Sequence, residues 1–452
     1  MLTYELKKAP GVPLYEALYR CIRDDILSGK LAPGEKLPSK RTLCANLKVS
    51  KITVEGAYNQ LLTEGYICSK EKVGYFVEMV ERSSAPPMPR QQPVAETDPC
   101  IDLTGNGPAK FPFSVWSKLQ RQVMLDLGTQ LLLESPNQGL FELRQAIADH
   151  LAQFRAMQVD PENLIIGAGT DFLYNLLIQL LGADKLYAVE EPGYRKIRQI
   201  YGAAGAECIG APLDEDGVRP DCLQSAQVLH ISPSHHFPTG IVTPMPRRQA
   251  LLRWAKASKE RWIIEDDYDS EFRFASHPLP TMQSLCNEKV IYMNTFSKTL
   301  APSIRISYMV LPPVLMVFYR QRLGFYSCTV PSFEQHTLAR FLDLGHFEKH
   351  INRMRKYYRS RRDRILAALA PLKDRITIQE QNAGLHFLVR TNTALSDETI
   401  TQQLEEAGVR VRTLSSYYYT PAPASADHCL VVNYSGLTDD QLCQLEETLK
   451  TI

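Results

Sequence analysis

The sequence predicts a two-part chain: a small helical unit closed by a β-hairpin, then a larger α/β unit built on a mainly parallel sheet. Three observations lead there. Near the N-terminus, apolar residues recur every fourth position, the spacing of one helix face. Residues 81–99 then bring five prolines, a Ser-Ser pair and hardly any apolar content. Beyond them short apolar runs alternate with helical patterns, as in a sheet whose strands are joined by helices.

In the first unit, Leu14, Leu18, Ile22 and Ile26, with Tyr15 and Tyr19 alongside, mark a helix ending at Gly29. Pro33-Gly34 is a turn. Ser39 is placed to cap a second helix carrying Leu43 and Leu47, and Ser50 a third with Val54, Tyr58, Leu61 and Leu62 inward. A hairpin follows, Tyr66–Ser69 and Tyr75–Val77 joined by Lys70–Gly74. Three short helices and a hairpin make a winged helix-turn-helix. Residues 81–99 read as an extended linker.

In the second unit the buried strands are read at 164–166, 185–189, 228–231, 262–264, 290–293 and 306–310. The stretch after Pro331 turns helical and then α+β. At 452 residues two or three domains are expected. No apolar run approaches the ~18 residues of a membrane span, and the longest, from Leu173 to Leu181, is interrupted by Asn175 and Gln179. Lys7 and Lys8 have no apolar core behind them, so no signal peptide is expected and the location is read as cytoplasmic. Ten cysteines without a C-x-x-C pair or matching histidines point to reduced thiols and no metal site.

Candidate chemistry falls at the ends of successive strands, where open α/β sheets bind ligands. Gly167-Ala168-Gly169-Thr170 opens a helix and suits a phosphate dianion, although alone it also reads as an ordinary glycine turn. Tyr194, after Glu190-Glu191-Pro192-Gly193, is placed to stack on a flat ring or to be a plain surface or core tyrosine. Glu265-Asp266-Asp267-Tyr268 offers a carboxylate for a pyridine nitrogen and a phenol for a ring hydroxyl; singly, it also fits acidic residues at a solvated strand end. Lys298, flanked by Thr295, Ser297 and Thr299 and followed by Arg305, suits a Schiff-base lysine beside hydroxyls and a guanidinium that hold a phosphate. Together they point to pyridoxal 5′-phosphate (PLP).

Residues 1–80 hold 12 Lys/Arg against 9 Asp/Glu, a net +3, while the remainder is −2, a mild tilt toward nucleic acid. The third helix would present Lys51 and Thr53 to a groove after its cap Ser50, with Ser39, Lys40, Arg41, Lys70 and Lys72 meeting phosphates; a solvated basic face is the plain alternative. A second basic run from Arg353 to Arg364 reads as a solvated helix face with interdomain ion pairs, with auxiliary DNA contact as the alternative.

These motifs resemble the MocR subgroup of GntR-family bacterial regulators over essentially the whole chain. Pro33 to Arg41 resembles the PGxxLPSxR signature, and Ser50 to Val54 the recognition-helix start, with Lys51 for the usual arginine. Phe296 to Arg305 resembles the FSKTLxPxxR pattern, and Pro238-Thr239-Gly240 the aminotransferase NPTG motif. The resemblance implies a fold-type I PLP-dependent aminotransferase-like domain behind a winged helix-turn-helix, usually as a head-to-tail homodimer. Its map is 1–80 DNA-binding domain, 81–99 linker, 100–330 large domain and 331–452 small domain. It implies Lys298 as the Schiff-base lysine, Asp266 at the pyridine nitrogen, Tyr268 at the ring hydroxyl and Tyr194 stacked. Ala168, Gly169, Thr170, Thr295, Ser297 and Arg305 would line the phosphate.

Two departures bear on activity. Phe237 replaces the asparagine of NPTG, and Leu430–Tyr434 lacks the usual carboxylate-binding arginine, leaving Arg410 or Arg412 as substitutes. The expected function is therefore a transcriptional regulator that senses PLP, or an amino acid bound to it as an aldimine, for vitamin B6 or amino-acid and amine genes. The rival is a working aminotransferase carrying a DNA-binding domain.

Overall fold

The computed structural model describes the chain except residues 1, 5, 7–12, 81–100, 106–109, 224, 274–278, 380–383 and 452, and gives 448–451 as backbone alone. The linker expected at 81–99 lies outside the described residues. The chain divides into two units, Met1–Glu96 and Thr97–Ile452.

The first unit has helices α1 (Leu14–Ser28), α2 (Lys40–Leu47) and α3 (Lys51–Thr63), then the antiparallel hairpin β1 (Ile67–Lys70) and β2 (Gly74–Val77). α1 stops because Gly29 takes the left-handed conformation, φ 77°, and returns its N–H to Ile26. Ser39 and Ser50 cap α2 and α3 by accepting from the amides of Thr42 and Thr53. Leu18, Ile22, Leu43, Val54, Tyr58, Leu61, Ile67 and Val77 form one core, each large apolar side chain contributing roughly 1.5–3 kcal/mol by burial. Tyr19 is buried, whereas Tyr15 is 40% exposed and lies over Gly56 of α3, where a Cβ would meet it at 3.2 Å.

The second unit opens with β3 (Ile101–Asp102), α4 (Phe113–Leu127) and α5 (Phe141–Arg155). β4 (Leu164–Gly167), α6 (Thr170–Leu181), β5 (Leu186–Glu191), α7 (Arg195–Ala203), β6 (Glu207–Asp214) and β7 (Gly217–Val218) follow. Next come β8 (Val228–Ile231), α8 (Met245–Lys256), β9 (Trp262–Asp266), α9 (Met282–Leu285), β10 (Val290–Thr295), α10 (Phe296–Thr299) and β11 (Ser307–Val310). The eight strands from β4 to β11 form one sheet, ordered β4-β11-β10-β9-β8-β5-β6-β7. β11 runs antiparallel to both neighbours and β7 antiparallel to β6; the other pairings are parallel. The carboxyl ends of β4, β5, β9 and β10 therefore face one edge.

α11 (Pro313–Arg322), α12 (Ser332–Asp343) and α13 (His346–Leu369) lead into β12 (Ile376–Gln379), β13 (His386–Thr391) and α14 (Asp397–Glu406). β14 (Val409–Arg410), β15 (Arg412–Thr413), β16 (Cys429–Asn433) and α15 (Asp439–Thr451) close the chain. β12, β13, β16 and β15 make a second sheet, and β14 pairs with β3. The largest core joins Leu164 and Tyr308 to Phe341 and Val432. Among the described residues, no helix is long and apolar enough to cross a membrane.

Candidate functional site

Three consecutive acids at the end of β9 meet three different fates. Glu265 is fully buried and its two oxygens accept the amides of Met282 and Gln283, both at 2.9 Å, pinning the start of α9. Asp267 accepts from Arg155 at 2.7 Å, Tyr292 at 2.8 Å and Ser270 at 2.9 Å. Burial alone would raise its carboxyl, and Arg155 with the hydroxyls outweighs that, holding it below the usual range. Asp266 lies between them and faces a cavity of about 410 Å³. Its Oδ2 accepts from Tyr174 at 2.5 Å and lies 3.5 Å from His230 Nε2, while its buried Oδ1 has no hydrogen-bond partner among the described residues.

Lys298 enters the same cavity from α10, the turn that ends β10. Its Nζ lies 5.9 Å from the Tyr268 ring centre. Burial pulls the amine down to about 8, against the opposing pull of Asp269 and Asp266. Tyr268 sits beside His235, whose Nδ1 is 3.3 Å from its hydroxyl and 2.9 Å from Asp269.

Thr170, Tyr194, Thr295, Ser297 and Arg305 complete the expected wall. Ser297 Oγ is buried and has no hydrogen-bond partner among the described residues. Thr295 Oγ1 is occupied by the Ser297 amide and the Ser307 hydroxyl, so it braces the turn. Gly169 stands behind Arg305 at φ 92°. Ala168 departs from expectation: its amide donates to Thr329 Oγ1 at 2.9 Å, and it lines the neighbouring cleft instead. Arg410 departs too. Its β14 position turns it toward Glu405, 3.5 Å away, outside the cavity. Arg412, two residues on, lines the cavity and carries no ion pair among the described residues.

In the first unit, Ser39 and Ser50 act as caps, and Thr53 Oγ1 is 2.8 Å from Ser50 Oγ, so these hydroxyls are committed locally. Arg41, Lys51, Lys70 and Lys72 are exposed, with Lys70 over the Phe76 ring. Lys40 and Lys51 each approach Glu55, at 3.8 and 3.7 Å. The downstream basic run on α13 is largely consumed within its own unit: Arg361 pairs with Asp439, Arg364 with Glu446 and Arg355 with the Glu271 carbonyl.

Residues 14–77 match the family model of bacterial regulatory proteins of the gntR family, and residues 98–449 match aminotransferase class I and II. The HTH-type transcriptional regulator YdeL of Bacillus subtilis is 35% identical over 99% of this chain and 98% of its own length. The pyridoxine biosynthesis transcriptional regulator PdxR of Corynebacterium glutamicum is 32% identical over 93% of this chain and 92% of its own. The chain belongs to the MocR-type regulators of the GntR family. An archaeal alanine:glyoxylate aminotransferase shares the fold of this MocR-type regulator with a TM-score of 0.69, at 23% identity over 78% of this chain and 90% of that one.

Several lining residues of this MocR-type regulator escape sequence reading. Thr104, Tyr174, His230, Asp269, His386, Tyr419 and Asn433 all reach the cavity. His230 left a signal, a lone polar residue inside a fully buried strand; Tyr201 holds its Nδ1 at 2.7 Å, which leaves Nε2 3.5 Å from Asp266. His386 and Asn433 are paired across β13 and β16, a register that no local pattern reveals.

Proposed function

We propose that this MocR-type DNA-binding regulator holds PLP at Lys298 and responds to PLP, or to an amino acid captured on it, by changing its grip on operator DNA. One observation carries the reading: a buried amine near pKa 8 shares a cavity with two buried, unpartnered oxygens, Asp266 Oδ1 and Ser297 Oγ. Each such atom costs about 1–3 kcal/mol if left unpaired. A pyridine N–H answers the carboxylate, and a phosphate oxygen the hydroxyl.

PLP would supply an aldehyde that condenses with a primary amine. Asp266, held by Tyr174 with His230 beside it, would keep a proton on the ring nitrogen. Tyr268 would donate to the ring hydroxyl, and Tyr194 would cover the ring face. Thr170, Ser297 and Arg305 would hold the phosphate, with Gly169 leaving room and Thr295 bracing the turn. Arg412 would take the carboxylate of a captured amino acid. Arg41, Lys51, Lys70 and Lys72 would meet DNA phosphates.

A cytoplasmic, head-to-tail homodimer goes with this reading. The exposed side chains of Phe113, Leu125, Leu132 and Leu133 support a second copy as a partner. The relative named for pyridoxine biosynthesis supports vitamin B6 genes as targets, with amino-acid or amine genes as the other arm.

The test measures DNA binding to the region upstream of the chain's own gene, with and without PLP and a panel of amino acids. Binding that shifts in the wild type and is fixed in Lys298→Ala supports the reading. Binding unmoved by every ligand overturns it. Sustained exchange of amino groups between amino and keto acids would instead favour a working aminotransferase.

A further inference from the structure

α3 carries one large apolar residue that neither its cap nor its core explains. Ile52 follows Lys51 in the first turn and is 80% exposed. Its neighbours have other duties: Ser50 and Thr53 close the cap, Val54 is in the core, and Glu55 lies between Lys40 and Lys51. A β-branched residue gains little from this helical position. Isolated exposed apolar residues are ordinary elsewhere on a surface, but the start of the second helix of a helix-turn-helix is the part that meets base edges in the major groove. The apolar group a base presents there is the 5-methyl of thymine.

We infer that Ile52 reads a thymine methyl in the operator. The inference rests on the winged helix-turn-helix being the DNA reader. It assigns Ile52 to base discrimination and leaves affinity for the backbone to the lysines and Arg41. Uracil carries the same major-groove acceptor as thymine without the methyl, so it isolates this contact.

The full-length protein first selects binding duplexes from a randomised pool. In a selected duplex, thymines are replaced one at a time by deoxyuridine. At one position or symmetric pair, wild-type binding weakens about fourfold, the worth of one buried methyl group. Ile52→Ala binds the thymine and uracil duplexes equally and keeps the wild-type salt slope, because no phosphate contact is lost. Its exposure leaves the melting temperature unchanged. A duplex with no sensitive thymine, or a preference that survives in Ile52→Ala, overturns the inference and leaves the DNA reader standing. Failure of the wild-type chain to bind any duplex overturns both.

Discussion

The Arg305 guanidinium lies so close to the Gly169 backbone that a Cβ at Gly169 would stand 2.1 Å from its Nη2. Gly169 also holds φ 92°, a region that side-chain-bearing residues avoid at a cost of about 1–3 kcal/mol. Gly169→Ala must therefore displace Arg305 from the cavity wall. PLP affinity should fall by roughly tenfold or more, read by absorbance titration, while DNA binding without ligand persists.

The Lys298 amine, pulled down to about 8 by burial, is neutral above that value and charged below it. An ordinary lysine stays charged to about pH 10.4. Capture of PLP by protein freed of ligand should therefore speed up through pH 8 and level off above it. Stopped-flow absorbance follows this, and a midpoint near 10 would contradict the burial argument. After borohydride reduction, mass spectrometry should find the group fixed in wild type and absent from Lys298→Ala.

Arg155 and Asp267 form a buried pair behind the cavity, 2.7 Å apart. Removing one partner of such a pair typically costs about 3–5 kcal/mol, so Arg155→Ala should lower the urea midpoint sharply. The pH dependence has a definite sign. A carboxyl held below the usual range contributes stability above its unfolded pKa and loses it as pH falls through the folded one. Wild type should therefore keep this contribution to lower pH than Arg155→Ala.

Arg412 and Arg410 provide an internal control, since they sit two residues apart and only Arg412 lines the cavity. Arg412→Ala should weaken the effect of an amino acid on DNA binding by about tenfold or more, the worth of a charge-assisted hydrogen bond. Arg410→Ala should leave it unchanged. Isothermal titration with and without a saturating amino acid separates the two.

Much of the fold was legible because it rests on local rules. The periodic apolar face of α1, the serine caps of α2 and α3, and the alternation of strands and helices each carry their own signal. β6 was missed because Gly210 and Pro212 interrupt its apolar run. Gly210 is there for a distant reason: a Cβ would collide with Glu191 Oε2, whose carboxylate also receives the amides of Tyr419 and Thr420. In the site, Asp266 was legible by resemblance; strand alternation sets it apart from Glu265 and Asp267 but does not say which face opens on the cavity. Their different duties come from α5, α6 and α9, elements far away in the chain. Arg410 and Arg412 were equivalent in sequence for the same reason, since the pairing of β14 with β3 and of β15 with β16 sends their side chains different ways.

The cavity wall draws on both Thr104 and Asn433, and β3 pairs with β14 over a separation of some three hundred residues. During synthesis, the N-terminal unit emerges with its core residues complete, while the ligand chamber still lacks its last strands. Domains generally fold in order of emergence. A DNA reader thus comes into being before the chamber proposed to govern it, and a chain truncated late in translation would keep the first without the second. Under the proposed function, such a fragment would bind DNA whatever the ligand concentration.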